Sequence, residues 1–379
     1  MKIPFNIPPR SFNEENYISQ AIAAKKLSGE GQFNKKCAEW LNKNIPTLMT
    51  VITPSCTSAL EMAMVLADLS PGDEVILPSF TFTSTANVVA LYGATPVFVD
   101  VDPKTMNIDV DAIEKAITPK TKVIMPVHYA GVGCEMDRIM DLANKHNIWV
   151  VEDAAQGIFA SYKGKNLGAW GHMAAFSFHE TKNIVCGEGG ALTINDPRLL
   201  ARAEIVRDKG TNRQQFLNGQ VDKYTWQDKG SSYLLSELAA AFLYAQLEDG
   251  EKITKKRLTI WNKYYQNLAD LEKAGKLQRM TVPGEAHPNA HIFYMLLPTA
   301  QIRQDLWSYL KERGIQSTFH YVPLHSAPAG LKYGRVAGSL AVTEDQAARL
   351  LRLPMYADLS AEDAQTVLDE VHNFFKETR

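Results

Sequence analysis

Cysteine is scarce and scattered: Cys37, Cys56, Cys134 and Cys186 are the only four in 379 residues, and none belongs to a CxxC pair. That spacing argues against a disulfide framework and against a zinc site, so no metal is expected and a reducing, cytoplasmic setting fits best. An excess of one charge is also missing. Forty basic residues face 42 acidic ones, for a net charge of −2, which leaves neither a nucleic-acid footprint nor a basic membrane-surface patch. No window reaches the roughly 20 apolar residues of a membrane span. The prolines in the opening MKIPFNIPPR break up the apolar run that a signal peptide needs. There is no internal repeat and no low-complexity tract. What remains, 45% hydrophobic and 22% charged, is the composition of a globular chain able to bury a large core.

Five short apolar runs rich in β-branched residues follow one another from residue 48: LMTVIT (48–53), EVILP (74–78), PVFVDV (96–101), KVIMPVH (122–128) and IWVVED (148–153). Helical patterns fit between them at Thr57–Leu69, Ser84–Tyr92 and Glu135–His146. This alternation predicts an α/β domain with a mostly parallel sheet. AAFSF (174–178) and GALTI (190–194) add two strands around a glycine-rich turn. One long helix is expected from Ser236 past Gln246 towards Leu268, as a connector to a smaller C-terminal α+β domain. That domain would have strands at 291–297 and 316–322 and helices at 301–312, 343–351 and 360–376. The division so read is 1–250, including an N-terminal arm, and 251–379.

Ligands of open α/β sheets bind outside the carboxyl ends of the strands, so the residues just after each strand come first. Ser55, Thr57 and Ser58 stand where a helix begins after the first strand. They suit either a phosphate on free N–H groups or a plain N-cap. Glu152 and Asp153 close the fifth strand, with Gln156 three residues on. A carboxylate there can keep a pyridine nitrogen protonated, or it can cap a helix. Lys182, in SFHETKNIVCGEGG, lies between a strand end and a glycine-rich turn, where desolvation would lower its pKa as a nucleophilic amine requires. Taken alone, it is a lysine like any solvated one. Phe80, Phe176 and Phe178 read as core, and His128 and Tyr129 either border the site or close the sheet.

The set PSCTSAL, PSFTFTSTAN, VEDAAQG, SFHETKN with GEGG, and FHYVPLH resembles the sugar-nucleotide aminotransferases of the DegT/StrS family, fold-type I pyridoxal-phosphate enzymes, over almost the whole chain. Within that family MNID, PVHYAGV, KGTNR, GQVDKYTW and GSSYLLSEL are most similar to members acting at C4 of dTDP-4-keto-6-deoxyglucose with L-glutamate as donor. The resemblance implies pyridoxal 5′-phosphate held covalently by Lys182, with Asp153 on the pyridine nitrogen, Gln156 on the phenolic oxygen and Phe82 stacked on the ring. Thr57, Ser58 and Ser177 would hold the phosphate. It also implies a homodimer with shared sites. An Asn of a GxNYR-type motif would reach across to the phosphate, but here the motif reads GSSYL, with Ser232 in place of Asn and Leu234 in place of Arg.

Lys209, Asn212 and Arg213 would meet a diphosphate, or form a solvated loop. His320, Tyr321 and His325 would face the sugar, or serve structure. Relatives acting at C3 are not separated from those acting at C4 by spacing. Relatives that remove a hydroxyl carry His in place of the lysine, which Lys182 argues against. Non-catalytic regulators form the alternative of another class, against which the complete constellation speaks. A serine hydrolase would need a GxSxG elbow, absent around Ser55, Ser177 and Ser236.

Overall fold

The computed structural model describes residues 2–377. Its main strands are β1 (Met49–Thr53), β2 (Glu74–Pro78), β3 (Thr95–Val99), β4 (Thr121–Ile124), β5 (Trp149–Asp153), β6 (Met173–Ser177), β7 (Gly190–Ile194), β8 (Gln278–Arg279), β9 (Phe293–Leu296), β10 (Arg335–Val336) and β11 (Leu350–Leu353). Eight of them form one sheet in the order β1-β7-β6-β5-β4-β2-β3-β10. From β6 to β10 every neighbouring pair is parallel, whereas β7 runs antiparallel to both β6 and β1. Helices cover both faces, so strands such as β2 and β6 are buried at every position. Period-two alternation divides their side chains. Val75, Leu77 and Val151 join one core, with Leu60 and Met64 of helix α1 (Cys56–Leu66), while Ile76 and Val150 join the opposite one, with Ile139.

A second sheet, β8-β9-β11, is antiparallel. Phe293, Met295, Leu351 and Leu353 pack there against Tyr264, Leu306 and Leu368. The expected long helix is in fact two, α3 (Glu237–Glu248) and α4 (Gly250–Asn267), broken at Asp249. At the break Gly250 lies so close to the Phe159 ring that an added Cβ would sit 2.6 Å from Cε2. We propose that the two domains divide here, as 1–250 and 251–379, of which Met1, Thr378 and Arg379 lie outside the described residues. They interleave: Ile3 packs in the C-terminal core, and β10 extends the large sheet beside β3.

Two further expectations change. The segment 316–322 is not a strand; it makes a single bridge, Thr318 to Arg352. The end of the helix read over 343–351 becomes β11, because the apolar run LLRL pairs with β9. Two N-terminal helices, Glu14–Ala23 and Gln32–Asn44, lie in the segment read as an arm.

Consecutive residues at the end of β5 have separate tasks because they point to opposite faces. Glu152 is wholly buried. Its carboxylate accepts the backbone N–H groups of Gly168 (2.8 Å), Trp170 (2.9 Å) and Gly171 (2.7 Å). His128 Nε2 meets it at 2.9 Å. His128 Nδ1 accepts the Cys134 N–H, so the ring is neutral and Nε2 is its donor. Of the two readings of His128, closing the sheet is the one the geometry supports. Glu152→Ala should strand these buried donors at about 1–3 kcal/mol each, and its thermal unfolding midpoint should fall by several degrees; an unchanged midpoint would refute this role.

Candidate active site

Asp153, the last residue of β5, is buried at the carboxyl end of the sheet's middle strand. It accepts the Thr85 hydroxyl at 2.8 Å and the Ala155 N–H at 3.1 Å. Thr85 belongs to helix α2 (Thr83–Ala90) and shares a further hydrogen bond with Thr81. Burial pushes the Asp153 carboxyl up, against the pull of Thr85, the Ala155 N–H and nearby Lys182. Lys182 follows β6 in a turn whose backbone N–H bonds to the His179 carbonyl. Its amine makes no hydrogen bond or ion pair among the described residues. Burial holds it below the ordinary lysine range, with Cys56 and Asp153 opposing and Arg352 assisting. A desolvated amine and a desolvated carboxylate thus lie within electrostatic reach of each other at the carboxyl end of the sheet.

The floor is the start of α1. Ser55 is the N-cap: its hydroxyl accepts the Ser58 N–H at 3.0 Å and donates to the Ser58 hydroxyl at 3.0 Å. The capping role therefore falls to Ser55, leaving the Cys56 and Thr57 amides of the first turn facing outward with the helix dipole behind them. The Thr57 and Ser84 hydroxyls lie 2.8 Å apart. Gly190 fits under this turn; a Cβ there would stand 2.5 Å from the Cys56 nitrogen. Ser177 ends β6, buried. Phe82 precedes α2 and is 59% exposed, enough to leave a ring face open for stacking.

Across from this turn, residues of the large domain meet His320 and Tyr321 of the C-terminal part. Gln156 is buried; its carbonyl accepts the Ala130 N–H at 2.7 Å and its amide donates to the Tyr321 hydroxyl at 3.1 Å. Tyr321 stacks on His320 with ring centroids 3.9 Å apart, and His320 Nδ1 lies 3.2 Å from the Tyr129 hydroxyl. Burial, with Arg352 and Lys182 nearby, holds His320 well below its usual pKa, so the ring is neutral. Tyr129 thus borders the site. Segment 316–322 is irregular for the same reason: consecutive His320 and Tyr321 both turn towards Lys182's surroundings, which strand alternation would forbid.

Other candidates lie elsewhere in the single chain. Both ring nitrogens of His325 are engaged, Nδ1 with Ser79 at 2.7 Å and Nε2 with Glu344 at 3.1 Å, so it ties the C-terminal part to the end of β2. Lys209 pairs with Asp208, and Arg213 with Asp208 and Glu30. Asn212 accepts the Thr225 N–H. Ser232 is exposed, in a backbone bridge to Asp208. These four belong to a surface loop carrying exposed Tyr224 and Trp226. Sequence reasoning missed Thr85 and Ser84, although both stand in PSFTFTSTAN; it also missed Arg352, for which an isolated arginine in an apolar run gave no signal.

The donor set suits one kind of cofactor: an aldehyde for the free amine, a basic ring nitrogen for Asp153, and a phosphate for a hydroxyl-rich helix N-terminus. Residues 11–372 match the DegT/DnrJ/EryC1/StrS aminotransferase family. Over 375 residues the chain is 34% identical to the GDP-perosamine synthase of Caulobacter vibrioides, covering 97% of this chain and 96% of that one. It superposes with a TM-score of 0.89 and 31% identity on DesV of S. venezuelae, solved with a ketimine intermediate, over 98% of each chain. Spr1654 of Streptococcus pneumoniae, solved in its PLP form, matches with a TM-score of 0.88 and 25% identity over 100% of this chain and 99% of its own. The chain belongs to the DegT/DnrJ/EryC1/StrS aminotransferase family and is a pyridoxal-phosphate-dependent aminotransferase.

Proposed function

We propose that the enzyme transfers the amino group of L-glutamate to C4 of dTDP-4-keto-6-deoxyglucose, giving dTDP-4-amino-4,6-dideoxygalactose and 2-oxoglutarate. The observation that carries the chemistry is the amine of Lys182, without a partner among the described residues and within electrostatic reach of buried Asp153. The choice of sugar rests on the blocks MNID, PVHYAGV, KGTNR, GQVDKYTW and GSSYLLSEL, which resemble the dTDP-4-amino-4,6-dideoxygalactose transaminase of enterobacterial common antigen synthesis. The Caulobacter relative is named for a GDP-linked sugar, which makes the nucleotide the first point to test.

Bound pyridoxal phosphate supplies a conjugated electron sink for the carbon that loses or gains the amine. Lys182 Nζ would hold the cofactor and, when released, would carry the proton to and from the reacting carbon, and burial holds its pKa below the ordinary lysine range. Asp153, oriented by Thr85 and the Ala155 N–H, holds the ring-nitrogen proton. Thr57, Ser58 and Ser177 bind the phosphate, Gln156 the phenolic oxygen, and Phe82 covers the ring. His320 and Tyr321 border the sugar.

The proposed assembly is a homodimer in the cytoplasm, where the four free cysteines stay reduced. Ser232, Lys209, Asn212 and Arg213, displaced from Lys182 within one chain, would serve the partner's site, with the exposed loop around Trp226 as the crossing segment. His325 supports the sugar wall from behind through Ser79 and Glu344.

Lys182→Ala should lower turnover at least about 10²-fold, the low end for losing a positioned proton carrier. It should also abolish borohydride trapping of the cofactor, read as a modified peptide by mass spectrometry; a cofactor trapped on another lysine would sink the assignment. Offered dTDP-4-keto-6-deoxyglucose and L-glutamate, the wild type should yield a single product whose NMR couplings define a 4-amino-galactose configuration. An amine at C3, a gluco product, or acceptance of only the GDP sugar would overturn the specific substrate while leaving the family intact.

A further inference from the structure

Lys182 has a long, flexible side chain whose amine is without a partner among the described residues, so its aim is set by its backbone. That backbone lies in an irregular turn, fixed on one side by the bond from the Lys182 N–H to the His179 carbonyl at 2.9 Å. The next residue is fixed through its side chain. Asn183 is buried; its amide nitrogen donates to the Asn289 carbonyl at 2.9 Å, and its amide oxygen lies 3.0 Å from His291 Nδ1. Asn289, also buried, carries the tie onward. Its Nδ2 donates to the carbonyls of Gln156 and Ile158, both at 2.7 Å, and its Oδ1 accepts the His291 N–H at 3.0 Å.

Every proton direction in this cluster follows from a backbone group. Carbonyl oxygens only accept, so Asn183 and Asn289 must each turn their NH2 towards them. The Asn183 oxygen is thereby left for His291, whose Nδ1 carries the proton and donates. Burial, assisted by the charges of Lys182 and Arg257, holds His291 well below its usual pKa, so the ring is neutral. The segment 289–291 is itself held. Arg257 of α4, buried, donates Nε to the Ala290 carbonyl at 3.0 Å and Nη2 to the carbonyls of His291 and Met355. Gly131 leaves room for the cluster: at φ +75° it faces Asn289 so closely that a Cβ would stand 1.9 Å from Oδ1. Gln156 is thus held twice, at its carbonyl by Asn289 and at its side chain by the Ala130 N–H.

The geometry points to Asn183 as a positioning residue, which through Asn289 sets the turn of Lys182 at a fixed span from Gln156. Two hydrogen bonds, Asn183 to Asn289 and Asn289 to Gln156, cross from one to the other. The aldehyde and the phenolic oxygen of the cofactor stand on adjacent ring atoms, so the residues that would receive them must keep a constant separation. A proton carrier, too, acts only when its reach to the reacting carbon is held closely. Ile184 and Val185, buried just beyond Asn183, also anchor the turn, but apolar packing fixes depth better than direction. The Asn183 amide is engaged at both ends within the protein, so it acts through Lys182. This inference rests on Lys182 as the reactive amine and is independent of which sugar accepts the amino group.

The test compares the holoenzyme with Asn183→Leu, which is similar in shape but makes neither hydrogen bond, with His291→Phe, and with the double variant. Given L-glutamate alone, so that no sugar enters, Asn183→Leu should convert its bound cofactor at least about tenfold more slowly, within the hundredfold that an ångström of misplacement costs. The primary isotope effect with 2-deuterated L-glutamate should grow, because the transfer carried by Lys182 becomes the slow step. The glutamate concentration giving half the maximal rate should stay within about twofold, as binding is untouched. In enzyme freed of cofactor, the pH midpoint for acetylation of Lys182, read by peptide mass spectrometry, should rise by about one unit as water reaches an amine that burial had held low. The double variant should be no slower than the worse single one, since the residues act as a unit. A lower melting temperature with wild-type rate, isotope effect and midpoint would make Asn183 structural alone and overturn the proposal, as would additive effects in the double variant. Should Asn183→Leu not fold, Asn183→Asp decides: it keeps the shape without the donor, and wild-type rate and midpoint there would overturn the proposal. A wild type that does not react with L-glutamate would refute the choice of donor, and the acetylation midpoint would still decide the role of Asn183.

Discussion

The alternation of side chains at the end of β5 is the constraint on which the site depends. Glu152 and Asp153 are neighbours and therefore point to opposite faces of the sheet. Glu152 is used up by the backbone of residues 168–171 and by His128. That closes one face and sets β6 beside β5 in the register Asp153 opposite Ala175. Asp153 is left on the other face with only a hydroxyl and one N–H. The same sheet edge brings Ser177 and, five residues later, Lys182 to its side. One buried carboxylate holds the scaffold, and the next is free for chemistry.

Charge is arranged here by withholding partners. Asp153, Lys182 and Arg352 are all desolvated, and none of the three has an ion-pair partner among the described residues, although ion pairs are plentiful on the surface. Lys182 is eased below its ordinary range by burial and, more weakly, by Arg352, while Cys56 and Asp153 oppose the shift. A ligand that brings a ring nitrogen and an aldehyde would complete the first two. Stability is held in reserve in this site and returned on binding.

Much of the large sheet was legible in the sequence, because strands buried on both faces write themselves as continuous β-branched runs: EVILP and WVVED fall within the read segments. Legibility failed where tertiary partners decided. LLRL has no period that distinguishes a helix end from a strand, and only pairing with Phe293–Leu296 makes it β11. The helix is interrupted at Asp249, where Gly250 abuts Phe159, a contact 91 residues away in sequence. Residues 316–322 alternate like a strand but have a single bridge, and the consecutive rings of His320 and Tyr321 stack on each other instead of alternating. Lys182 and Asp153 were readable only within a family pattern; Ser55 as the cap followed from local chemistry. Thr85 was hidden inside a quoted motif, and Arg352 had nothing local to mark it.

The most direct test of the central claim, that Lys182 and Asp153 bracket one cofactor, is a crystal structure of the enzyme grown with pyridoxal phosphate. Continuous density from Lys182 Nζ to the cofactor, with the ring nitrogen within hydrogen-bonding distance of an Asp153 oxygen and the phosphate against the Cys56 and Thr57 amides, is the predicted result. Density joining the cofactor to any other lysine, or a ring nitrogen turned away from Asp153, would contradict it.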